Sequence, residues 1–476
     1  MTRLSYATLA RVPRHIATPL GRPKPGIGIV HFGASAFHRA HQAETIDRVL
    51  QHDPRWGIAA VSLRTRGVVD AMAAQDGLYT LAIRDRDPSY RVIGAHRAFL
   101  GPEDAAQTAA LLADGRVALV TTTVTEKGYT LRPDGTLDVE HPDIRHDLTG
   151  AGHPRSVIGW IVRGLAVRRA NRLRPFVVMP CDNLPSNGRK VHAALVAFAR
   201  ATDLALADWI ADEVRVPGTM VDSITPATDD ALLADVHAAI GLDDSAAVQR
   251  EAFTQWVIED VGSIGPDLAA AGATVTRDVA GYEQAKLRIL NGAHSTLAYA
   301  GLLRGHATVA EAMADTALSA FVDRMIAHEI MPTLPQVAGL DLARYTQDVL
   351  SRFRNPGIVH RLDQIAADGS QKLPYRLGDT FVAHLRRSHT PACIIAAFGC
   401  WIAFLMRRSR SGVPIVDPAG EALAGAAREG APAQVIARIA ALGAGLPAAL
   451  AAAPALEQAA GAAWAGEWDA LFGDCA

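Results

Sequence analysis

The stretch "IGIVHFGASAFHRAHQAETIDRVL" (residues 27–50) decides the fold. Residues 27–32 form a short β-rich run bounded by glycines, and the residues after Gly33 carry helical periodicity. Working outward, "WGIAAVSL" (56–63), "VALVTTTV" (117–124) and "FVVMP" (176–180) read as further strands. Between the last two, "SVIGWIVRGLAVRRA" reads as an amphipathic helix with Ser156 at its N-cap. Continuous apolar strands alternating with helices imply a parallel sheet covered on both faces. After about Tyr282 the strand signals stop, and helical patterns run to an Ala-rich tail from Gly420. Alanine is the best helix former, so the tail reads as packed helices. The expectation is an α/β domain over residues 1–280 and a mostly α-helical domain over 281–476. Ligand sites favour such a seam.

Composition narrows the class of partner. The chain has 476 residues, 49% hydrophobic and 20% charged, with a formal net charge of −2. That is an ordinary globular profile, with no electrostatic reason to bind nucleic acid or an anionic membrane. Cys181, Cys393, Cys400 and Cys475 form no CxxC pair, which argues against a disulfide framework or a cysteine-rich zinc site and fits a reducing cytoplasm. The N-terminus has no long apolar core before a small-residue cleavage site, so it does not read as a secretory signal. "TPACIIAAFGCWIAFLM" (390–406) is just short of a membrane span, is flanked by arginines and reads as a buried core helix.

The first turn, "HFGASAFHRAH", stands where a dinucleotide fold carries G-x-G-x-x-G, so that backbone can approach a pyrophosphate. Only Gly33 matches; Ser35 and His38 occupy the other two glycine places. A tight strand-to-helix turn of any α/β protein fits equally well at this point. The second strand ends in "SLRTRGVVD", where an acid normally accepts the ribose hydroxyls of NAD. Arg64 and Arg66 stand there instead, and the first acid is Asp70. Arginines can bind a 2′-phosphate, which leaves NADP open beside NAD.

A second stretch, "KLRILNGAH" (286–294), sets Lys286, Asn291 and His294 in an otherwise apolar helix. On a straight α-helix Asn291 lies ~140° around the axis from Lys286, and His294 ~80° from it, between the two. Glu283, one turn earlier, shares that side. Buried lysines are rare unless paired, so this side faces either water or a site.

Seven stretches then occur in order: "FHRAHQA", "TVTEKGY" (123–129), "MPCDNLPSNG" (179–188), "MVDSITPAT" (220–228), "QWVIED" (255–260), "KLRILNGAH" and "DGSQKLP" (368–374). Together they resemble the mannitol dehydrogenase family, the polyol-specific long-chain dehydrogenases, from about residue 27 to about 410. The resemblance implies a Rossmann-type N-terminal domain and a helical substrate-binding and catalytic C-terminal domain. It also implies metal-free hydride transfer between NAD(P) and a secondary alcohol in the cleft. On this resemblance Lys286 is the general base, Asn183 and Asn291 form the oxyanion hole, and His294 holds the substrate. Asp222 and Lys372 bind substrate hydroxyls, and Glu283 gates proton exit. Gly33, Ser35, Ala36, Phe37, Arg64, Arg66, Thr125 and Glu126 fall to the cofactor.

The polyol members usually carry an arginine four residues before the aspartate of the "DGS" turn; this chain has Gln364. The stretch "HRLDQIAADGSQKLPYR", with His360 and Arg361 upstream, is more similar to the fructuronate reductases. The expected reaction is therefore interconversion of D-mannonate and D-fructuronate, with Arg361 as the cation for the carboxylate. The alternative is an uncharged polyol, as for mannitol 2-dehydrogenases or arabinitol dehydrogenases. The expected partner is a small molecule, without nucleic acid or membrane, and the expected state is a monomer. His38 and His41 are spaced i, i+3, but no third metal ligand is evident.

The chemistry agrees residue by residue. A lysine can take a hydroxyl proton only when neutral, which desolvation and a nearby cation favour. Side-chain amides stabilise a developing alkoxide without holding the product as a salt pair. Each residue also has an ordinary reading: solvated lysine, helix irregularity, core histidine, N-cap or surface charge. A rival uses the same letters, because "YEQAK" from Tyr282 to Lys286 matches the Y-x-x-x-K pair of short-chain dehydrogenases. A catalytically dead sensor of sugar acids or dinucleotide is a further alternative.

Overall fold

The strand Ile27–Phe32 is the middle strand of a five-stranded sheet in the computed structural model, which describes residues 2–85 and 87–473. The order is His96–Leu100, Gly57–Val61, Ile27–Phe32, Leu119–Thr122, Val177–Pro180, every neighbouring pair parallel. Strand order reverses at Ile27–Phe32, and open α/β sheets bind ligands outside the carboxyl ends of the strands at such a point. Successive side chains of this strand point to opposite faces: Val30 and Phe32 enter one core with Val120, Val178 and Trp160, while Ile29 enters another with Ala43, Ile46 and Ile58.

The chain divides into two compact units, Met1–Val279 and Ala280–Ala476. In the first, the helix expected after Gly33 is two helices, Ala36–Ala40 and Gln42–Val49, broken at His41 with φ −120° and ψ −82°. His41 Nε2 lies 3.0 Å from the carbonyl oxygen of Gln255, an anchor at the break. The helix Val157–Ala170 is capped as expected, the Ser156 hydroxyl accepting from the Gly159 N–H at 2.9 Å. Two three-stranded sheets were not expected: Ser89–Ile93, Tyr79–Arg84, Val248–Glu251 and Thr274–Thr276, Gln255–Glu259, Thr219–Asp222. Their sequences carry charges that hide the apolar signal. Arg91 donates to Glu44 at 2.6 Å and to Asp47 at 3.1 Å, so these charges are satisfied by residues distant in sequence.

In the second unit every described element is helical. Residues 390–406 fall largely in the helix Ala392–Arg410, which is long and apolar enough to cross a membrane by length and composition alone, and 78% of its most apolar window is buried. Pro391 precedes it and offers no capping side chain; the Glu329 carboxylate caps it instead, accepting from the Cys393 and Ile394 N–H groups at 2.8 Å each. The Ala-rich tail folds into short helices that bury Leu423, Val435, Ile439, Leu450 and Leu456. Cys181, Cys393 and Cys400 are buried thiols, and Cys475 lies outside the described residues.

Candidate active site

In the first unit the strand-to-helix turn is built around one glycine. Gly33 has φ +92°, and a Cβ there would sit 2.2 Å from the carbonyl oxygen of Thr123. The Thr123 hydroxyl donates to the Gly33 carbonyl at 2.6 Å. Beneath them lies buried His31, with Nδ1 2.7 Å from Thr121 Oγ1 and Nε2 3.0 Å from Gly33 O. Burial pushes its pKa down to about 3, so the ring is neutral. Ser35, at the second glycine place, is the N-cap: its hydroxyl accepts from the His38 N–H at 3.1 Å. Ala36 and Phe37, both half-buried, open the helix behind it. His38 and His41 engage different partners, His41 the carbonyl of Gln255. His38 Nε2 meets His96 Nε2 at 3.0 Å, and among the described residues no group of three His, Cys, Asp or Glu could hold a metal.

A cavity of about 290 Å³ lies at the carboxyl ends of Gly57–Val61 and His96–Leu100, lined by Leu63, Arg64, Gly101, Asp143 and Trp160 among others. Arg64, on its rim, pairs with Asp143 at 2.8 Å. Arg66 is ringed by Asp70 at 2.8 Å, Glu103 at 2.6 Å and Asp104 at 2.6 Å. These hydrogen bonds hold its pKa well above the ordinary arginine value. Two of these acids, Glu103 and Asp104, stand just after the strand His96–Leu100. Sequence reading could not place them there, having missed that strand.

Thr125 and Glu126 are exposed, at the start of a 3-10 turn after the strand Leu119–Thr122. Thr125 has φ +66°, a region that costs a non-glycine residue on the order of 1–3 kcal/mol. Asp182 holds the loop in place: its carboxylate accepts from the Thr125 N–H at 2.7 Å, the Val124 N–H at 3.2 Å and the Tyr129 hydroxyl at 2.6 Å. Next to it in sequence, Asn183 is exposed on the loop between the strand Val177–Pro180 and the helix Asn187–Arg200. Asp222 is buried at the end of Thr219–Asp222. Asn187, which sequence reading did not single out, ties this loop to that strand. Its amide donates to Thr219 O at 2.9 Å, and its carbonyl accepts from the Thr219 N–H at 2.9 Å.

In the second unit the "KLRILNGAH" segment is helical but not a straight α-helix. Val279–Ala285 is α-helical, Lys286–Leu290 is π-helical, and Asn291–Arg304 resumes the α-helix. The Asn291 N–H reaches the carbonyls of Leu287 and of Lys286, five residues back. The wider turn replaces the ~140° separation expected on a 3.6-residue repeat, bringing Asn291 nearly over Lys286. Lys286, Glu283 and Asn291 are half-buried. Gly292 accommodates a neighbouring segment: a Cβ there would lie 3.1 Å from the carbonyl oxygen of Arg376.

His294 is 5% exposed, and its Nε2 has no partner among the described residues. Its ring packs against Phe353 at 4.3 Å and edge-on to His360 at 4.8 Å. Burial, and then the nearby His360, Arg352 and Arg376, keep its pKa well below the usual histidine range, so it is neutral. His360 is lowered too, by burial and then by Arg352, and its Nδ1 has no partner among the described residues.

The "DGS" turn is locked by Asp417, whose carboxylate accepts from the Ser370 N–H at 2.8 Å and its hydroxyl at 2.5 Å. This sets Lys372, whose Nζ donates to Ala367 O at 2.8 Å and pairs with Asp368 at 3.3 Å. Burial first, and Arg376 second, lower the pKa of Lys372. Arg361 is exposed and donates bidentately to Asp363, at 3.0 and 2.6 Å, so its guanidinium already faces a carboxylate. Gln364 is exposed on the short helix Leu362–Ile365. The cation that instead meets the Asn291 segment is Arg376, whose Nη1 donates to Ser295 Oγ at 3.0 Å and, at 3.5 Å, approaches Asn291 O. Its i, i+4 spacing from Lys372 was the available signal.

Two family models together match most of the chain. Residues 27–271 match the mannitol dehydrogenase Rossmann domain, and residues 278–462 the mannitol dehydrogenase C-terminal domain. The chain is 39% identical over 401 residues to D-mannonate oxidoreductase of Escherichia coli (strain K12), covering 82% of each chain. It is 37% identical over 420 residues to a mannitol 2-dehydrogenase of Aspergillus fumigatus, covering 85% of this chain and 83% of that one. Among solved structures, Pseudomonas fluorescens mannitol 2-dehydrogenase in ternary complex with NAD and D-mannitol superposes with a TM-score of 0.83 at 32% identity, over 99% of this chain and 98% of that one.

Proposed function

The chain belongs to the mannitol dehydrogenase family, and on that premise we propose that it is an NAD-dependent oxidoreductase interconverting D-mannonate and D-fructuronate. The observation that carries this reading is the polar face at the π turn. There Lys286 and Asn291 share a side, and neutral His294 presents an unpartnered Nε2 in the next turn. Lys286 takes the proton of the substrate hydroxyl. The amide of Asn291 donates to the oxygen as negative charge develops; one such donor contributes about 3–4 kcal/mol to lowering the barrier. Asn183 is the second amide in this reading, His294 and Lys372 hold substrate hydroxyls with Asp222, and Glu283 relays the proton. These roles leave no step for a metal.

NAD accepts the hydride in the oxidative direction. Gly33, Ser35, Ala36 and Phe37 form the turn that receives its phosphates, with Thr125 and Glu126 on the following loop. The residues support NAD over NADP, because Arg64 and Arg66 are already matched by carboxylates. The buried cysteine thiols suit a reducing cytoplasm.

The sugar acid is favoured over a polyol by Gln364 in place of the usual arginine and by the "DGSQKLPYR" stretch, and by similarity to a D-mannonate oxidoreductase. A panel of keto-uronates, ketoses, hexonates and polyols, run with both cofactors, tests it. D-Fructuronate should be reduced faster than D-fructose, and NADH should be preferred. Much faster reduction of fructose sinks the sugar-acid assignment and leaves a mannitol 2-dehydrogenase.

A further inference from the structure

A sugar-acid substrate brings a carboxylate, and a carboxylate in a half-buried site needs a cation not already neutralised. In the second unit most candidate cations fail that requirement. Arg361 is exposed and bound bidentately by Asp363. Lys372 sits 3.3 Å from Asp368, and Arg288 4.0 Å from Asp379.

Arg376 differs. It lies in the π-helical stretch Pro374–Gly378, is half-buried, and forms no ion pair within 4 Å among the described residues, feeling Asp368 only from a greater distance. Its polar contacts are Ser295 Oγ at 3.0 Å and Asn291 O at 3.5 Å, both through Nη1. Nε and Nη2, the edge of the guanidinium that forks onto a carboxylate, remain without a protein partner among the described residues. The side chain is anchored on the first turn of the helix Asn291–Arg304, which carries Asn291 and His294. Its charge also reaches His294 and Lys372, lowering both, so it belongs electrostatically to the same polar face.

We propose that Arg376, pinned by Ser295 through one nitrogen and open along its Nε–Nη2 edge, recognises the carboxylate of the sugar-acid substrate. This rests on the sugar-acid reading above and replaces Arg361, the cation expected from sequence, with a residue fifteen positions later in the chain. Gln364 then needs no charge, because the cation comes from the far side of the "DGS" turn. The same site binding an uncharged polyol would leave a desolvated guanidinium unmatched, which opposes that class of substrate.

The test compares wild type with Arg376→Gln and Arg376→Lys, reading kcat/KM for D-fructuronate and D-fructose. Calorimetric titration of the NADH-loaded protein with D-mannonate and D-mannitol, a pairing in which no hydride can move, gives the same ratio without turnover. Arg376→Gln should lower the fructuronate-to-fructose and mannonate-to-mannitol ratios by about a hundredfold or more, mostly through KM. Arg376→Lys should recover only part of the ratio, because an ammonium lacks the fork. Equal losses on both members of each pair indicate that Arg376 only braces the helix, and overturn the proposal. A wild type that binds mannitol and reduces fructose but ignores both sugar acids overturns the parent reading instead. If Arg376→Gln does not fold, the ratio in Arg376→Lys decides: an unchanged ratio overturns the proposal.

Discussion

The backbone N–H of Asn291 reaches the carbonyl of Lys286, so the two residues stand one π turn apart. A π turn inserts an extra residue into the helical repeat, is rare, and is frequent at functional sites. Lys286→Ala should therefore abolish turnover, by about 10³-fold or more in kcat, with little change in NADH affinity measured by fluorescence titration. Tyr282→Phe should change kcat only a few-fold, because in this reading Tyr282, buried at 3% exposed, takes no part in the proton transfer. Loss of turnover in Tyr282→Phe with activity kept in Lys286→Ala would hand the chemistry to the tyrosine–lysine pair of short-chain enzymes.

Gly33 is the one glycine of the dinucleotide fingerprint that the turn cannot give up. Gly33→Ala forces a left-handed φ on a residue with a side chain and drives its Cβ to 2.2 Å from Thr123 O. The backbone strain alone costs about 1–3 kcal/mol, and the clash must move the Thr123 segment. Reduced thermal stability and weakened NADH binding are expected together. Gly33→Ala with wild-type cofactor affinity contradicts the placement of the phosphates at this turn.

Much of this was legible in the sequence, for identifiable reasons. Apolar runs on both-face-buried strands read correctly, because nothing in them competes with the hydrophobic signal; Ile27–Phe32 is found at its expected bounds. Ser89–Ile93 and Val248–Glu251 were missed because Arg91 and Arg250 interrupt the pattern. Their charges become tolerable only when the fold brings up Glu44 and Asp47. At the candidate site the residue types were legible and their angles were not. Helical projection assumes 3.6 residues per turn, and none of the π stretches among the described residues, those at Lys286, Met325 and Arg376, announces itself in composition. Arg361 looked like the open cation because Asp363, two positions on, could not be known to close over it.

Arg66 gives a prediction on cofactor choice. Three carboxylates surround it, so a 2′-phosphate would have to displace one or add charge beside them. Glu103→Gln should raise the NADPH-to-NADH ratio of kcat/KM severalfold, and Glu103→Gln with Asp70→Asn should raise it further. Both leave Asp104, which also accepts from the Gly101 N–H at 2.8 Å and supports the local turn. An unchanged ratio places the 2′ position away from Arg66.

Asp182 gives a prediction on pH. Burial raises its pKa from 3.8 to about 6, although hydrogen bonds from Tyr129, Thr125 and Val124 pull the other way. A carboxyl whose folded pKa lies above its unfolded value stabilises the fold fully below the unfolded value, and loses that contribution as pH rises through the folded one. Between pH 4 and about 6.5, this group alone should therefore withdraw stability as pH rises, by roughly 2–3 kcal/mol at most. Other carboxylates act in the opposite sense, so the measurement is the difference between wild type and Asp182→Asn in urea unfolding across that range. The difference should shift steadily in favour of Asp182→Asn as pH rises, because the amide carries no charge to desolvate. It should also loosen the Thr125 loop, read as a higher KM for NADH at every pH. A flat stability difference from pH 4 to 6.5 means that Asp182 is ionised throughout, with the three donors to its carboxylate outweighing its burial.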